Sequence, residues 1–323
     1  TYNVSDAASN AATEVTRTVN VIDASQPSVA SVQVIDGHTV RVTFTKDMGA
    51  GALVAANYTA SGTGRGTLSA NPANVTGSGA VYDLTWNCPQ LMKNGDNLTI
   101  TVNAALQDSV GNTIVAPLSG TGVGVAALPT VVLTPSTNPA TAECGVAYTL
   151  PTRVWTDSCG TVLTPNAPDL GGLSIVNPAV GSYTVTFSAY DAANNLGSYN
   201  LTVNVVDTQA PVITLVGANP QTISLGSPYV ELGATAADTC GGNLTGSLVI
   251  DASAVNTAAV GSYTVTYNVS DAASNAATQV TRTVNVVDTV QPFVTTVAVE
   301  DGLNVLVTFN KAMGTGVTTA ANY

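Results

Sequence analysis

The chain is 323 residues long, with 20 acidic against 8 basic side chains, a formal charge of −12 and a pI near 4.1. No cluster of Lys or Arg offsets that balance, which excludes nucleic acid and anionic membrane as partners, because both demand basic side chains to displace counterions. Charged residues are only 9% of the chain, and no apolar run approaches a membrane span.

Thr, Ser and Asn supply the polarity instead, which suits the exposed faces of β-strands in secreted surface proteins. The first residues do not make a signal peptide, so any secretion signal is expected outside this stretch. Self-similarity then organises the chain. Residues 1–58, opening TYNVSDAASNAATEVTRTVNVID, return at 266–323 with 40 of 58 positions identical and an offset of 265 residues. Within that period GSYTVTFSAYDAANN at 181–195 recurs as GSYTVTYNVSDAASN at 261–275, and NVVDTQAP at 204–211 as NVVDTVQP at 285–292.

These copies set limits after Asp23, Asp207 and Asp288, with a further one near Ala127. Residues 1–23 are read as the closing hairpin of one module. The segment 24–127 is a complete, longer module in which KDMGAGALVAANY predicts one helical turn, cut short by its glycines. Segments 128–207 and 208–288 are complete modules, and 289–323 carries the opening strands of another. Either the terminal pieces are cut from a longer periodic polymer, or their missing strands come from another subunit.

In GSYTVTYNVS, Tyr263, Val265, Tyr267 and Val269 share one face and Thr264, Thr266 and Asn268 the other. The following VTRTVNVV places Arg282 on the face of Val280, Val284 and Val286, so its apolar face is clear only toward its end. Tyr183 and Tyr263 stand where a tyrosine corner would satisfy a nearby backbone group, or are ordinary half-buried tyrosines; Leu98 occupies that place in 24–127. No such strand buries its face alone. The expectation is all-β: tandem immunoglobulin-like Greek-key β-sandwiches in an extended rod, with about seven strands per 80 residues.

The segments ECGVAYTLP, DSCG, GSYTVTF, YDAANN and VVDTQAPVITL resemble bacterial immunoglobulin-like repeats related to the HYR domain, over 128–288. PSVASVQVIDGHTVRVTFTKDMGAGALVAANYT is similar to the Ig-like modules of bacterial surface-layer proteins. The resemblance implies a stalk, adhesin, surface-layer or filament protein. It also implies that the cysteine of ECG pairs with that of D-x-C, which maps to Cys144 and Cys159. That bond would close about 16 residues and stabilise by about 3 kcal/mol. Leu225 replaces the corresponding partner of Cys240. Cys88 and Cys240 are then buried thiols, or staples to a neighbouring module or chain.

A D-x-x-x-N pattern recurs between the last two strands of each module: Asp6 and Asn10, Asp108 and Asn112, Asp191 and Asn195, Asp271 and Asn275. Two readings stay open. Asp and Asn cap tight turns through their own backbone without an ion. Alternatively these residues, the module-ending Asp23, Asp207 and Asp288, and Asp157 or Asp238 supply oxygen ligands for Ca2+ at module joints.

No catalytic grouping emerges. His38 is the one histidine, no cysteine has a histidine beside it in sequence, and Leu303 stands at its copied position. GTGRG at 62–66 lacks the lysine of a phosphate loop, and Trp86 and Trp155 read as core anchors. Asn3, Asn57, Asn74, Asn97, Asn200, Asn243 and Asn268 are glycosylation sequons. The expected function is a non-enzymatic structural repeat of an extracellular filament or cell-surface fibre, whose partners are further copies of the same repeat, end-to-end or lateral. The alternative is an adhesin stalk whose binding head, engaging glycans or host surfaces, lies outside this stretch.

Overall fold

A computed structural model describes residues 1–315 and 318; the remaining end of the expected 289–323 strands lies outside the described residues. The chain divides into two compact units, one of Thr1–Ala140, Thr149–Leu173 and Ser182–Asn204, the other of Thr141–Tyr148, Ser174–Gly181 and Val205–Tyr323. The described residues form strands and a few short 3-10 turns, so the all-β expectation is met.

In the first unit, strands Val29–Asp36, Thr39–Phe44, Val81–Thr85 and Asn74–Ser78 hydrogen-bond in that order as one sheet. Tyr58–Ser61, Asn97–Val102 and Ser119–Val123 form a second. The period of two sends Val40, Val42 and Phe44 from one sheet and Leu98, Ile100 and Val102 from the other into a shared core. Each such side chain, fully withdrawn from water, contributes roughly 1.5–3 kcal/mol. The KDMGAGALVAANY segment makes two 3-10 turns, Ala50–Leu53 and Ala55–Asn57, as its glycines suggested. Trp86 and Trp155 are buried anchors, and Trp86 Nε1 donates to Ser69 O at 2.9 Å. A side chain at Gly197 would meet the Trp155 ring at 2.8 Å, so only glycine lets the backbone pass there.

In the second unit, Val212–Leu215, Ala234–Asp238 and Gly242–Asn243 form a three-stranded sheet. The four-stranded sheet runs Gln221–Ser224, Val280–Val287, Gly261–Asn268, Val249–Asp251. Gln221–Ser224 pairs in parallel with Val284–Val287, while the other neighbours are antiparallel. Tyr267, Val265, Val269 and Val284 fill the core between the sheets. The Tyr263 hydroxyl donates to Ala259 O at 2.9 Å, the backbone contact a tyrosine corner makes.

The sequence copies keep their register. Tyr2 pairs with Val15 as Tyr267 does with Val280, and Val294 pairs with Phe309 as Val29 does with Phe44. Their burial differs sharply: Tyr2, Val4, Val19 and Val21 are 64%, 67%, 76% and 95% exposed, whereas Tyr267, Val269, Val284 and Val286 are 0%, 5%, 0% and 1% exposed. Local sequence sets the hairpin, and a facing sheet decides whether its apolar side meets water.

Candidate functional site

The D-x-x-x-N loops share one construction. Asp191 Oδ1 accepts the N–H groups of Ala193 and Asn195, both at 2.9 Å, and Oδ2 accepts Asn195 Nδ2 at 2.8 Å. Asp6 and Asp108 hold their loops through the same three bonds, and Asp271 accepts both from Asn275. The residue before Asn is left-handed every time: Ser9, Asn194 and Ser274 at φ 69, 61 and 71°, and Gly111 at 97°. An Asx-type turn thus occupies the carboxylate with its own amides, which is the ion-free reading of the motif.

The Asn side chain then reaches away from its loop. Asn112 Nδ2 donates to Asp23 O and Asn275 Nδ2 to Asp207 O, both at 3.1 Å. Asn195 is buried, donates to Met92 O at 2.9 Å and accepts Asn94 N–H at 2.7 Å. Its polar atoms are spent on backbone, and the pair Asp191 and Asn195 forms a clasp.

The module-ending aspartates meet two different surroundings. Lys46 bridges Asp23 and Asp108, at 2.7 Å from the latter, and also donates to Ser25 O at 2.6 Å. Its hydrogen bond, with those of Ser25, holds the Asp23 carboxyl down at about 2. Burial pushes Asp108 up, but Lys46 and the Asn112 and Val110 hydrogen bonds outweigh it and leave it well below the ordinary range. Lys311, 265 residues on from Lys46, reaches Asp288 at 2.7 Å. Among the described residues no lysine reaches Asp207 in this way. Oxygens of Asp207, Asp238 and Asp271 lie within 4.8 Å of one another. Burial first, then repulsion from Asp238, Asp271 and Glu143, pushes the Asp207 carboxyl up against one hydrogen bond from Gln209 N–H. Of the residues expected as calcium ligands, the structure gathers Asp207, Asp238 and Asp271; Asn275 binds the turn, and Asp6 with Asn10, Asp23, Asp191 with Asn195, and Asp288 stand apart from that cluster. Three carboxylates within this spacing are the hard oxygen donors that Ca2+ takes.

The cysteines correct the expected pairing. Cys144 bonds to Cys240 and Cys88 to Cys159, with Cα atoms 5.8 and 5.7 Å apart, so Cys144–Cys159 does not form. Cys159 sits within the turn in which Asp157 Oδ1 accepts Cys159 and Thr161 N–H, and bonds from there to Cys88. Cys144 closes the strand Ala140–Glu143, with its N–H on Val206 O, and faces the Asp238 turn that carries Cys240. Each bond spans an expected module limit, which is the staple reading of Cys88 and Cys240. In the chain-entropy picture loops of 71 and 96 residues bring about 4–5 kcal/mol each. The one signal in sequence was the tally of one, two and one cysteines over three successive modules. Sequence reading also missed His38, whose Nε2 lies 3.4 Å from Cys159 Sγ and 3.8 Å from Cys88 Sγ. Among the sequons, Asn3, Asn74, Asn97, Asn200 and Asn243 are exposed.

Residues 213–286 match the family model described as bacterial surface protein, Ig-like domain. No curated protein sequence matches this chain. Among solved structures, the N-terminal part of the bacterial S-layer protein SbsC is 20% identical, with a TM-score of 0.28 over 57% of this chain and 45% of that one. The fibronectin(III)-like modules of Clostridium thermocellum CbhA are 17% identical over 49% of this chain and 95% of theirs, with a TM-score of 0.22. Extracellular cadherin domains 1–4 of protocadherin gamma B7 are 15% identical over 81% of this chain and 76% of theirs, with a TM-score of 0.26. The present chain spans less than half of the S-layer structure. Among the described residues no helix is long and apolar enough to cross a membrane. The match at 213–286 and the two disulfides point to an extracellular or cell-surface location.

Proposed function

We propose that the chain is a structural repeat segment of an extracellular filament or cell-surface fibre, with module limits near residues 23, 127, 207 and 288, acting through contacts between modules and between copies. The observation that supports this reading is the placement of the disulfides: Cys88–Cys159 and Cys144–Cys240 each cross one of these proposed limits instead of closing within one segment. A covalent tie between beads resists their separation, which a load-bearing fibre needs and a catalytic cleft does not. Sedimentation of the purified chain at rising concentration tests the contacts between copies. Growth of the mean mass is the expected outcome; one unchanging monomer mass overturns it and favours the adhesin-stalk reading.

The same reading gives Asp207, Asp238 and Asp271 a divalent cation, Ca2+, in the role that Lys46 and Lys311 play at Asp23 and Asp288. A cation there offsets the repulsion that raises Asp207, whose ionisation otherwise opposes the folded state as pH climbs past the ordinary carboxylate range. Calcium should raise the melting temperature by several degrees over chelator. Asp207→Asn should be the more stable form in chelator and lose most of the calcium response. An identical wild-type melting curve with and without calcium ends the idea.

A further inference from the structure

The two disulfides stand in unlike chemical surroundings. His38 lies in the turn between Val29–Asp36 and Thr39–Phe44, its N–H on Asp36 Oδ1 at 2.8 Å and its carbonyl accepting Trp86 N–H at 2.9 Å. That anchored backbone brings the imidazole to both sulfurs, at 3.4 Å from Cys159 and 3.8 Å from Cys88. Disulfide sulfurs carry no proton, so an N–H of the ring is the donor across these contacts. The charged groups of the two turns that meet here, Asp36 and Asp157, each accept a backbone N–H of their own turn. Cys88 is exposed to solvent and Cys159 half-buried.

The other bond lacks both features. Cys144 is buried, and the Cys240 sulfur lies within 4.8 Å of carboxylate oxygens of Glu143 and Asp207. An incoming thiolate is repelled there, and a departing one gains no acid to take it up.

We propose that Cys88–Cys159 is a thiol-exchange site for small thiols, with His38 as the acid that receives the leaving sulfur, and that Cys144–Cys240 is a fixed cross-link. A small-molecule thiolate attacks the exposed Cys88 Sγ and forms a mixed disulfide as the bond to Cys159 breaks. The electron pair of that bond leaves on Cys159 Sγ, which takes the Nε2 proton of the His38 imidazolium and leaves neutral imidazole. A second thiol attacks the mixed disulfide, releasing Cys88 as a thiol; two thiols are oxidised to one small disulfide while the protein disulfide is reduced. The tie between the modules holding Cys88 and Cys159 is thereby reversible, and the next tie along the chain is permanent.

The test uses the oxidised full chain and 2-mercaptoethanol, a neutral probe whose approach is little biased by the net charge of −12. Timed acid quench, alkylation and peptide mass mapping follow both bonds in one sample. Cys88–Cys159 should open about tenfold faster or more, as thiol exchange favours the accessible sulfur with the stabilised leaving group, and the first adduct should sit on Cys88 with Cys159 free. His38→Leu introduces the residue that the copied hairpin carries at Leu303, and His38→Gln keeps an N–H without a transferable proton. Both should slow Cys88–Cys159 several-fold and erase the preference for the Cys88 adduct, with Cys144–Cys240 unchanged. Equal opening of the two bonds in the wild type, or earlier opening of Cys144–Cys240, overturns the proposal without any variant. So does an unchanged rate and adduct position in both variants.

Discussion

Arg282 is fully buried on a strand face otherwise given to valine, and its solution to that problem governs the second unit's core. Nη2 donates to Val216 O at 2.6 Å and Gly233 O at 2.9 Å, and the guanidinium lies 5.7 Å over the Tyr267 ring. Tyr229 and Tyr267 hydroxyls donate to Glu231 at 2.5 and 2.6 Å. Burial pushes Glu231 up, but those phenols, Gly233 N–H and Arg282 outweigh it and leave it below the ordinary range. Replacing Arg282 by Met takes a positive charge from near a half-buried carboxylate and two hydrogen bonds from Nη2, but also removes Nε and Nη1, which are buried without hydrogen-bond partners; the net cost in urea unfolding should be about 1–3 kcal/mol, part of it recovered by Glu231→Gln. A neutral Arg282→Met would show that the network carries no stability. Burial, then Glu231, pushes the Tyr267 phenol up to about 12. A raised acid contributes stability that is full below the ordinary tyrosine value of about 10 and fades as pH rises toward about 12. The Tyr267 part of the phenolate absorbance, taken as the difference between wild type and Tyr267→Phe, should therefore rise together with unfolding in that window; its rise at the ordinary value in folded protein would contradict it. The alternation in VTRTVNVV exposed Arg282 as the odd member of its face, yet Glu231 and Tyr229 lay about 50 residues back in an irregular stretch, where period-two reading has no purchase.

At the scale of elements, one hairpin loop serves in four settings, and its value depends on what surrounds it. Asp191 is buried and holds two amides and Asn195, while the same loop at Asp6 is exposed. Asp191→Ala leaves buried donors unmet and should cost about 2–3 kcal/mol, whereas Asp6→Ala, with water available to the same groups, should cost under about 1 kcal/mol; urea midpoints compare them. Equal costs would mean that the clasp to Met92 and Asn94 adds nothing. The hairpins themselves were legible, because alternation and D-x-x-x-N are local signals. The cysteine pairing was not: spacing along the chain measures a path, and these bonds form where loops of successive modules meet. The same limit hid His38, which sequence places 50 residues from Cys88 and 121 from Cys159.

For the whole molecule, the repeat period was the strongest signal. It foresaw strands, their alternating faces and sandwich class, since each copy in a complete sandwich buries the same alternating positions. It left the cations unspecified. Lys46 and Lys311 are copies of one another and neutralise Asp23 and Asp288, whereas the equivalent place at Asp207 collects further carboxylates. Within one 265-residue period, the expected joint at Asp23, repeated at Asp288, is thus neutralised by its own lysine, whereas the one at Asp207 holds carboxylates that no lysine among the described residues neutralises.

The parallel ladder between Gln221–Ser224 and Val284–Val287 has a mechanical corollary. A pull on the chain at residues on either side of this sandwich drags these neighbouring strands in opposite senses along their common axis. Their hydrogen bonds are then strained side by side and must give way together, unlike an antiparallel pair hauled open from one end, which parts bond by bond. The seam between Gln221–Ser224 and the last strand is the clutch that sets how hard such a bead can be tugged before it yields.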